Sequence, residues 1–175
     1  IIPAYTYAAT ALAVYHIGAK PVMVDIKSDF TIDPEKVKEA ITGRTKAIIP
    51  VDIAGWPADY DALYSLVAEP EVKAKFNPTS DEQKKLGRIL ILSDGAHSFG
   101  ATYKGKPSGF IADITVFSFH AVKNVTTAEG GCVCLKLPLP FDNNELFKKL
   151  KLMSLNGQTK DAFTKSIAGG WKYDI

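Results

Sequence analysis

The sequence predicts an α/β fold: a mainly parallel sheet flanked by helices. Short β-branched apolar runs alternate along the chain with helical patterns. One run, Ile89-Leu90-Ile91-Leu92, is apolar at every position, as expected of a central parallel strand covered on both faces. The 175 residues, 46% hydrophobic and 23% charged, are enough for one globular domain with its own core.

The elements follow in chain order. Ile1-Ile2-Pro3 resembles the end of a strand. Ala8 to Ile17 combines good helix formers with an apolar face, and Gly18 stops it. Pro21 to Ile26 reads as a strand. Glu35 to Ile41 is a capped helix, with Asp33 at the N-cap, Pro34 at the first helical position and acids in the first turn. Lys46 to Val51 is the next strand and Asp59 to Ala68 the next helix. Glu69 to Gly87 is polar and lysine-rich, broken by Pro70 and Pro78, and reads as a surface insertion with one or two helical turns. Ile89 to Leu92, Ile114 to Phe119 and Cys132 to Leu137 are strands. Between Asp94 and Ile114, Gly100, Gly105, Pro107 and Gly109 argue against a full crossover helix. Asn143 to Leu155 is an amphipathic helix. There are no internal repeats, so residues 1–175 read as one domain.

Composition narrows the function. The 21 basic and 19 acidic residues leave a net charge of +2, which implies no general attraction to nucleic acid or acidic lipid. Cys132 and Cys134 alternate through an apolar run, which suits a buried strand in a reducing compartment rather than a disulfide framework. No further Cys or His cluster completes a metal site around them. No apolar stretch reaches membrane-spanning length and no signal peptide is present, so the cytoplasm is the default location. The chain opens without methionine and closes on Gly170-Trp171-Lys172-Tyr173-Asp174-Ile175 with no terminating element. It is expected to be a fragment of a larger protein, incomplete at both ends.

Functional groups of open parallel sheets gather at the carboxyl ends of the strands. Asp94 and His97 follow one strand there; Ser118, His120, Lys123 and Asn124 follow another; Tyr5, Thr6 and Tyr7 follow the first. If the two middle strands are neighbours they lie about 5 Å apart, so Asp94 and Lys123 can reach one small ligand. An Asp and a Lys converging with a Ser and an aromatic ring suit pyridoxal 5′-phosphate. The amine forms an imine with the aldehyde, and the carboxylate keeps the pyridine nitrogen protonated. Spacing alone is weak support, because a lone loop lysine is usually a solvated charge.

The strings themselves are more specific. Phe117-Ser118-Phe119-His120-Ala121-Val122-Lys123-Asn124, followed by Ala128-Glu129-Gly130-Gly131, resembles the Schiff-base segment of the DegT/DnrJ/EryC1/StrS aminotransferases. Pro3-Ala4-Tyr5-Thr6-Tyr7-Ala8-Ala9-Thr10, Gly18-Ala19-Lys20-Pro21-Val22 and the run Thr42 to Val51 resemble that family too. So do Gly55 to Ala62 and Asp94 to Ala101, and the matches run in family order across nearly the whole chain. The histidine in Ser-Phe-His-Ala-Val-Lys-Asn leans toward the branch making 4-amino-4-deoxy sugars, including the aminoarabinose enzyme.

The resemblance implies the large domain of a type I pyridoxal-phosphate aminotransferase, with Cys132 to Leu137 as an antiparallel strand. It implies that Lys123 carries the cofactor and then moves a proton between substrate carbon and cofactor. Asp94 would bind the pyridine nitrogen, His97 would sit by the ring hydroxyl, Tyr7 would stack on the ring and Ser118 would donate to the phosphate. Asn124 flanks the lysine and is counted with the cofactor-binding residues, although it and His120 could equally shape the loop. Glu129 is balanced between site and turn, Trp56 between pocket border and packing, and His16 is structural. Family members also carry an upstream Gly-Thr helix start that cradles the phosphate and a C-terminal small domain, neither of which is in this sequence. The implied reaction is transfer of the amino group of glutamate to a keto carbon of a nucleotide-linked sugar, by a homodimer. The 175 residues alone are expected to be inactive. Two rivals remain: a sugar dehydratase of the same family, which would lack the lysine, and a non-catalytic binding or regulatory protein retaining the fold.

Overall fold

A computed structural model of the protein describes residues 1–154. It forms two compact units, the first spanning Ile1–Pro138 and the second beginning at Leu139, whereas the sequence reads as one domain. In the first unit the elements run β1 (Ile2–Pro3), α1 (Ala8–His16), β2 (Met23–Val24), α2 (Pro34–Ala40), β3 (Ala47–Ile48), α3 (Tyr60–Ala68), α4 (Pro70–Lys75) and α5 (Asp81–Leu86). They continue as β4 (Leu90–Asp94), β5 (Thr102–Tyr103), β6 (Lys106–Pro107), β7 (Ile114–Ser118) and β8 (Gly131–Leu135). The described part of the second unit contains α6 (Asn143–Ser154); the expected last residue of that helix, Leu155, lies outside the described residues. Among the described residues no helix is long and apolar enough to cross a membrane.

The central sheet has the order β3-β4-β7-β8, with β3, β4 and β7 parallel and β8 antiparallel to β7. Strand β1 pairs in parallel with β2 and reaches β3 through Ile49 N–H, which donates to the Ile1 carbonyl at 2.8 Å. The strand pairings match the α/β expectation, including the antiparallel strand. Two strands of this sheet end at other residues than their patterns suggest. Lys46 to Val51 pairs regularly only over Ala47–Ile48, because Pro50 has no N–H to give the ladder; pairing resumes as a single bridge from Val51 to Asp94. Strand β4 extends two residues further than expected, which makes Asp94 its last residue.

Helix starts follow local chemistry. The Asp33 side chain accepts from Glu35 N–H with Pro34 in the first turn, Asp59 accepts from Ala62 N–H, and Ser80 accepts from Gln83 N–H. The core lies on one side of the sheet, where Val37 and Ile41 at α2 and Leu63, Leu66 and Val67 of α3 pack with Ile48, Ile89 and Ile91. The polar stretch after α3 folds as the two short helices α4 and α5, and α4 buries Val72 in this same core.

The other side is less covered. Leu90 and Leu92 are only half-buried, so β4 alternates instead of being buried on both faces as its sequence suggests. Helix α1 has the expected bounds, yet Thr10 is its one buried residue and Leu12, Tyr15 and Ile17 are exposed. The β4–β7 connection is the expected non-helical one: the hairpin β5–β6 and a 3-10 turn at Ser108–Phe110. At its far end the sheet is tied by Asp113, whose carboxylate accepts two bonds from Arg88 at 2.8 and 2.7 Å, one from Tyr64 and one from Ile91 N–H.

Candidate active site

Parallel register fixes the first relation in the site. Asp94 lies opposite Val116 in β7, so the ends of β4 and β7 emerge side by side. Both open on a cavity of about 670 Å³ lined by Tyr7, Thr10, Asp94, His97, Ser118 and Lys123. Its apolar walls come from Ile49, Val51, Leu92 and Val116 on the sheet and from Ala9 and Ala13 of α1. This volume and lining are of the kind that encloses a small-molecule ligand.

The lysine loop is held at its base. Beyond β7 and β8 the ladder continues as Phe119 N–H donating to Gly130 O at 2.8 Å and Thr127 N–H to Phe119 O at 2.9 Å. The turn at its tip closes with Lys123 N–H on His120 O at 3.0 Å. Phe99 packs edge-on against Phe117 and Phe119, with centroids 5.3 and 5.1 Å apart. Its carbonyl accepts the Asn124 amide at 2.8 Å. Asn124 therefore braces the loop and is not among the residues lining the cavity.

Lys123 Nζ lies 3.0 Å from His97 Nε2. On the other side of the ring, Ala54 N–H donates to His97 Nδ1 at 3.3 Å. In the neutral ring that bond leaves the hydrogen on Nε2, where it can donate to the lone pair of an unprotonated Lys123 amine. The Ala54 turn needs unusual backbone: Gly55 has φ +84°, and a Cβ there would meet the His97 carbonyl at 3.1 Å. Asp94 is oriented by two donors, Thr10 Oγ1 to Oδ2 at 2.7 Å and Ala96 N–H to Oδ1 at 3.2 Å. Thr10 in turn shares a 2.8 Å bond with Thr6.

Five of the six residues singled out from sequence thus face one cavity: Tyr7, Asp94, His97, Ser118 and Lys123. Ser118 Oγ also accepts His120 N–H at 3.3 Å. His120 lines the cavity and pairs with Glu129 at 3.5 Å, while the Glu129 side chain itself is 85% exposed. Trp56 is exposed and does not line the cavity; His16 is also exposed. Sequence reasoning missed Thr10, whose only signal is a hydroxyl one turn after Thr6 on an otherwise apolar helix. It also missed Asp52, 1% exposed beneath the site.

The chain is similar to known proteins along most of its length. The sequence matches the DegT/DnrJ/EryC1/StrS aminotransferase family over residues 1–75 and 82–174. Spr1654 of Streptococcus pneumoniae, assigned as a sugar aminotransferase and solved in its PLP form, is 49% identical with TM-score 0.85, covering 92% of this chain and 41% of that one. Helicobacter pylori PseC, an aminotransferase involved in pseudoaminic acid biosynthesis, is 33% identical with TM-score 0.72, covering 93% of this chain and 38% of that one. The Bacillus subtilis spore coat polysaccharide biosynthesis protein SpsC is 36% identical over 97% of this chain and 38% of its own length. The chain spans about two fifths of the length of the relatives it matches.

Proposed function

The chain belongs to the DegT/DnrJ/EryC1/StrS aminotransferase family, and from that premise we propose that Lys123 and Asp94 hold pyridoxal 5′-phosphate in a sugar aminotransferase. The whole protein moves an amino group from glutamate to a keto carbon of a nucleotide-linked sugar. The observation that carries this is the convergence of the Lys123 amine and the Asp94 carboxylate on one cavity from the tips of adjoining parallel strands.

The donor set fits the group. A flat aromatic ring suits a cavity walled by Leu92, Val116 and Ala13. Its basic nitrogen needs a fixed anion, and Asp94 is the carboxylate on the lining, oriented by Thr10 and Ala96. When bound, the cofactor supplies an aldehyde that takes up an amine and a ring that draws electrons from the reacting carbon. Asp94 stabilises the protonated ring nitrogen. Lys123 Nζ, 3.0 Å from His97 Nε2, would anchor the cofactor and carry the proton between carbon centres. His97, Ser118 and Tyr7 line the same cavity and would stand beside the ring hydroxyl, the phosphate and the ring face respectively. The apolar walls keep water from the reacting carbon.

Titrating the whole protein with pyridoxal 5′-phosphate tests the proposal. The expected result is a visible absorption band that is lost in Lys123→Ala and is bleached to the pyridoxamine spectrum by glutamate. A band that survives in Lys123→Ala overturns the lysine assignment, and a band indifferent to glutamate overturns the donor.

A further inference from the structure

Beneath the strand tips lies a carboxylate that the chemistry above does not use. Asp52 follows β3 and is 1% exposed. Oδ1 accepts Ala58 N–H at 3.2 Å and the Tyr60 hydroxyl at 2.7 Å. Oδ2 accepts the hydroxyls of Ser98 at 2.7 Å and Ser93 at 3.3 Å. All four partners are neutral. Burial pushes the Asp52 carboxyl above its ordinary range, and these hydrogen bonds pull it partly back. An apolar side chain would fill this space without that desolvation penalty, so the carboxylate calls for a reason beyond packing.

The reason is in what its bonds hold. Ser93 immediately precedes Asp94 and Ser98 immediately follows His97. The main chain of Asp52 reaches the same pair of residues. Its N–H donates to the Asp94 carbonyl at 3.0 Å, and its carbonyl accepts Gly55 N–H at 3.2 Å. That second bond closes the turn whose Ala54 N–H meets His97 Nδ1. Asp52 therefore grips His97 from two directions, through the neighbouring Ser98 side chain and through the turn that occupies the far ring nitrogen.

We infer that Asp52 is a positioning residue: it fixes the orientation and tautomer of His97, and thereby aims Nε2–H at the Lys123 amine. Tyr60, whose hydroxyl spans Asp52 and Ser93, 2.6 Å from the latter, completes the support. The inference rests on the proposed function only where it predicts a loss of turnover. The geometry of His97 is a property of the chain by itself.

Two variants of the whole protein separate positioning from mere packing. Asp52→Asn keeps the shape and removes one acceptor; Ser98→Ala keeps the carboxylate and cuts its side-chain link toward His97, leaving the main-chain link through the Gly55 turn. In the cofactor-free protein, nitrogen NMR of the His97 ring should show a single tautomer with hydrogen on Nε2, and a mixture of tautomers in both variants. In the holoenzyme, Asp52→Asn should lower kcat about 10- to 100-fold, the penalty of a small misplacement, with KM nearly unchanged. In a His97→Gln background the same substitution should lower kcat less than about threefold, because a group that acts through His97 has nothing left to position. A wild-type His97 spectrum in both variants, or losses that multiply fully in the double variant, overturns the inference. Should Asp52→Asn not fold, Ser98→Ala decides by the same readouts. Absence of the Lys123-dependent band would instead sink the cofactor assignment and leave the NMR result standing on its own.

Discussion

Replacing Thr10 by valine keeps the branch and volume of the side chain and deletes its 2.7 Å hydrogen bond to Asp94 Oδ2. Hydrogen bonds to charged groups contribute about 1.5–3 kcal/mol net. Asp94 is only half-buried and retains the 3.2 Å bond from Ala96 N–H. In the open cavity, water can therefore take the vacated position at little cost. Once a ring fills the cavity and displaces that water, Oδ2 is left short of a donor, so the loss falls on the bound state. The lower bound of the range applies, about 1.5 kcal/mol, or about a tenfold weaker affinity for pyridoxal 5′-phosphate. Fluorescence titration of the whole protein reads this directly, and Thr10→Ser, which keeps the hydroxyl, should bind close to wild type. A valine variant with unchanged affinity would refute the reasoning, as would a serine variant that loses as much as valine.

Two further expectations concern stability. Asp113→Asn strands Arg88, whose side chain is only 16% exposed, beside an amide that also faces the donors of Tyr64 and Ile91. Breaking such a buried pair should destabilise the protein by about 3 kcal/mol, seen as a lower urea midpoint at unchanged slope; a loss under about 1 kcal/mol would mean the pair is idle. Asp52 supplies a pH dependence of known sign. Burial raises its native carboxyl above 3.8, so the folded state holds the proton more tightly than the unfolded chain does. The stability this brings is full below 3.8 and is lost as pH rises through the native value. The Asp52→Asn variant, which does not titrate, should therefore gain on wild type as pH rises above 3.8, and a gap constant with pH would contradict the assignment.

Much of the fold was legible because its signals are local. Capping by Asp33, the stop at Gly18 and the alternation of apolar runs all act within a few residues, and all appear where the sequence places them. The strand limits were less legible, since pairing depends on a partner's register: Pro50 interrupts the ladder within the run Lys46 to Val51. The Asp94 and Lys123 juxtaposition was legible for a topological reason. Parallel neighbours put all their carboxyl ends on one edge, so residues just past two strands meet without any knowledge of the contacts between them. Asn124 shows the limit of that logic, because adjacency to Lys123 in sequence said nothing about the commitment of its amide to Phe99.

The groups that tune the site were invisible for the opposite reason. Thr10 meets Asp94 across 84 positions and Asp52 meets Ser98 across 46, and neither pairing follows from period or propensity. Both answer to how the sheet is covered. Helices α2 and α3 seal the face bearing Ile48 and Ile91, and Asp52 is trapped at the edge of that seal, where its charge must be satisfied by hydroxyls. On the opposite face, the β4–β7 connection is a hairpin and a turn instead of a helix, so Leu92 and Val116 become cavity wall rather than core. Only α1 stands across from them among the lining elements, and it contributes small side chains and the Thr10 hydroxyl. The open face thus admits a flat ligand and carries the Thr10 hydroxyl that orients Asp94, while the sealed face holds the Asp52 network behind His97. Exchanging the two coverings would bury Lys123 against helices and leave Asp52 in water, so the division of labour between the faces follows from where the helical connections lie.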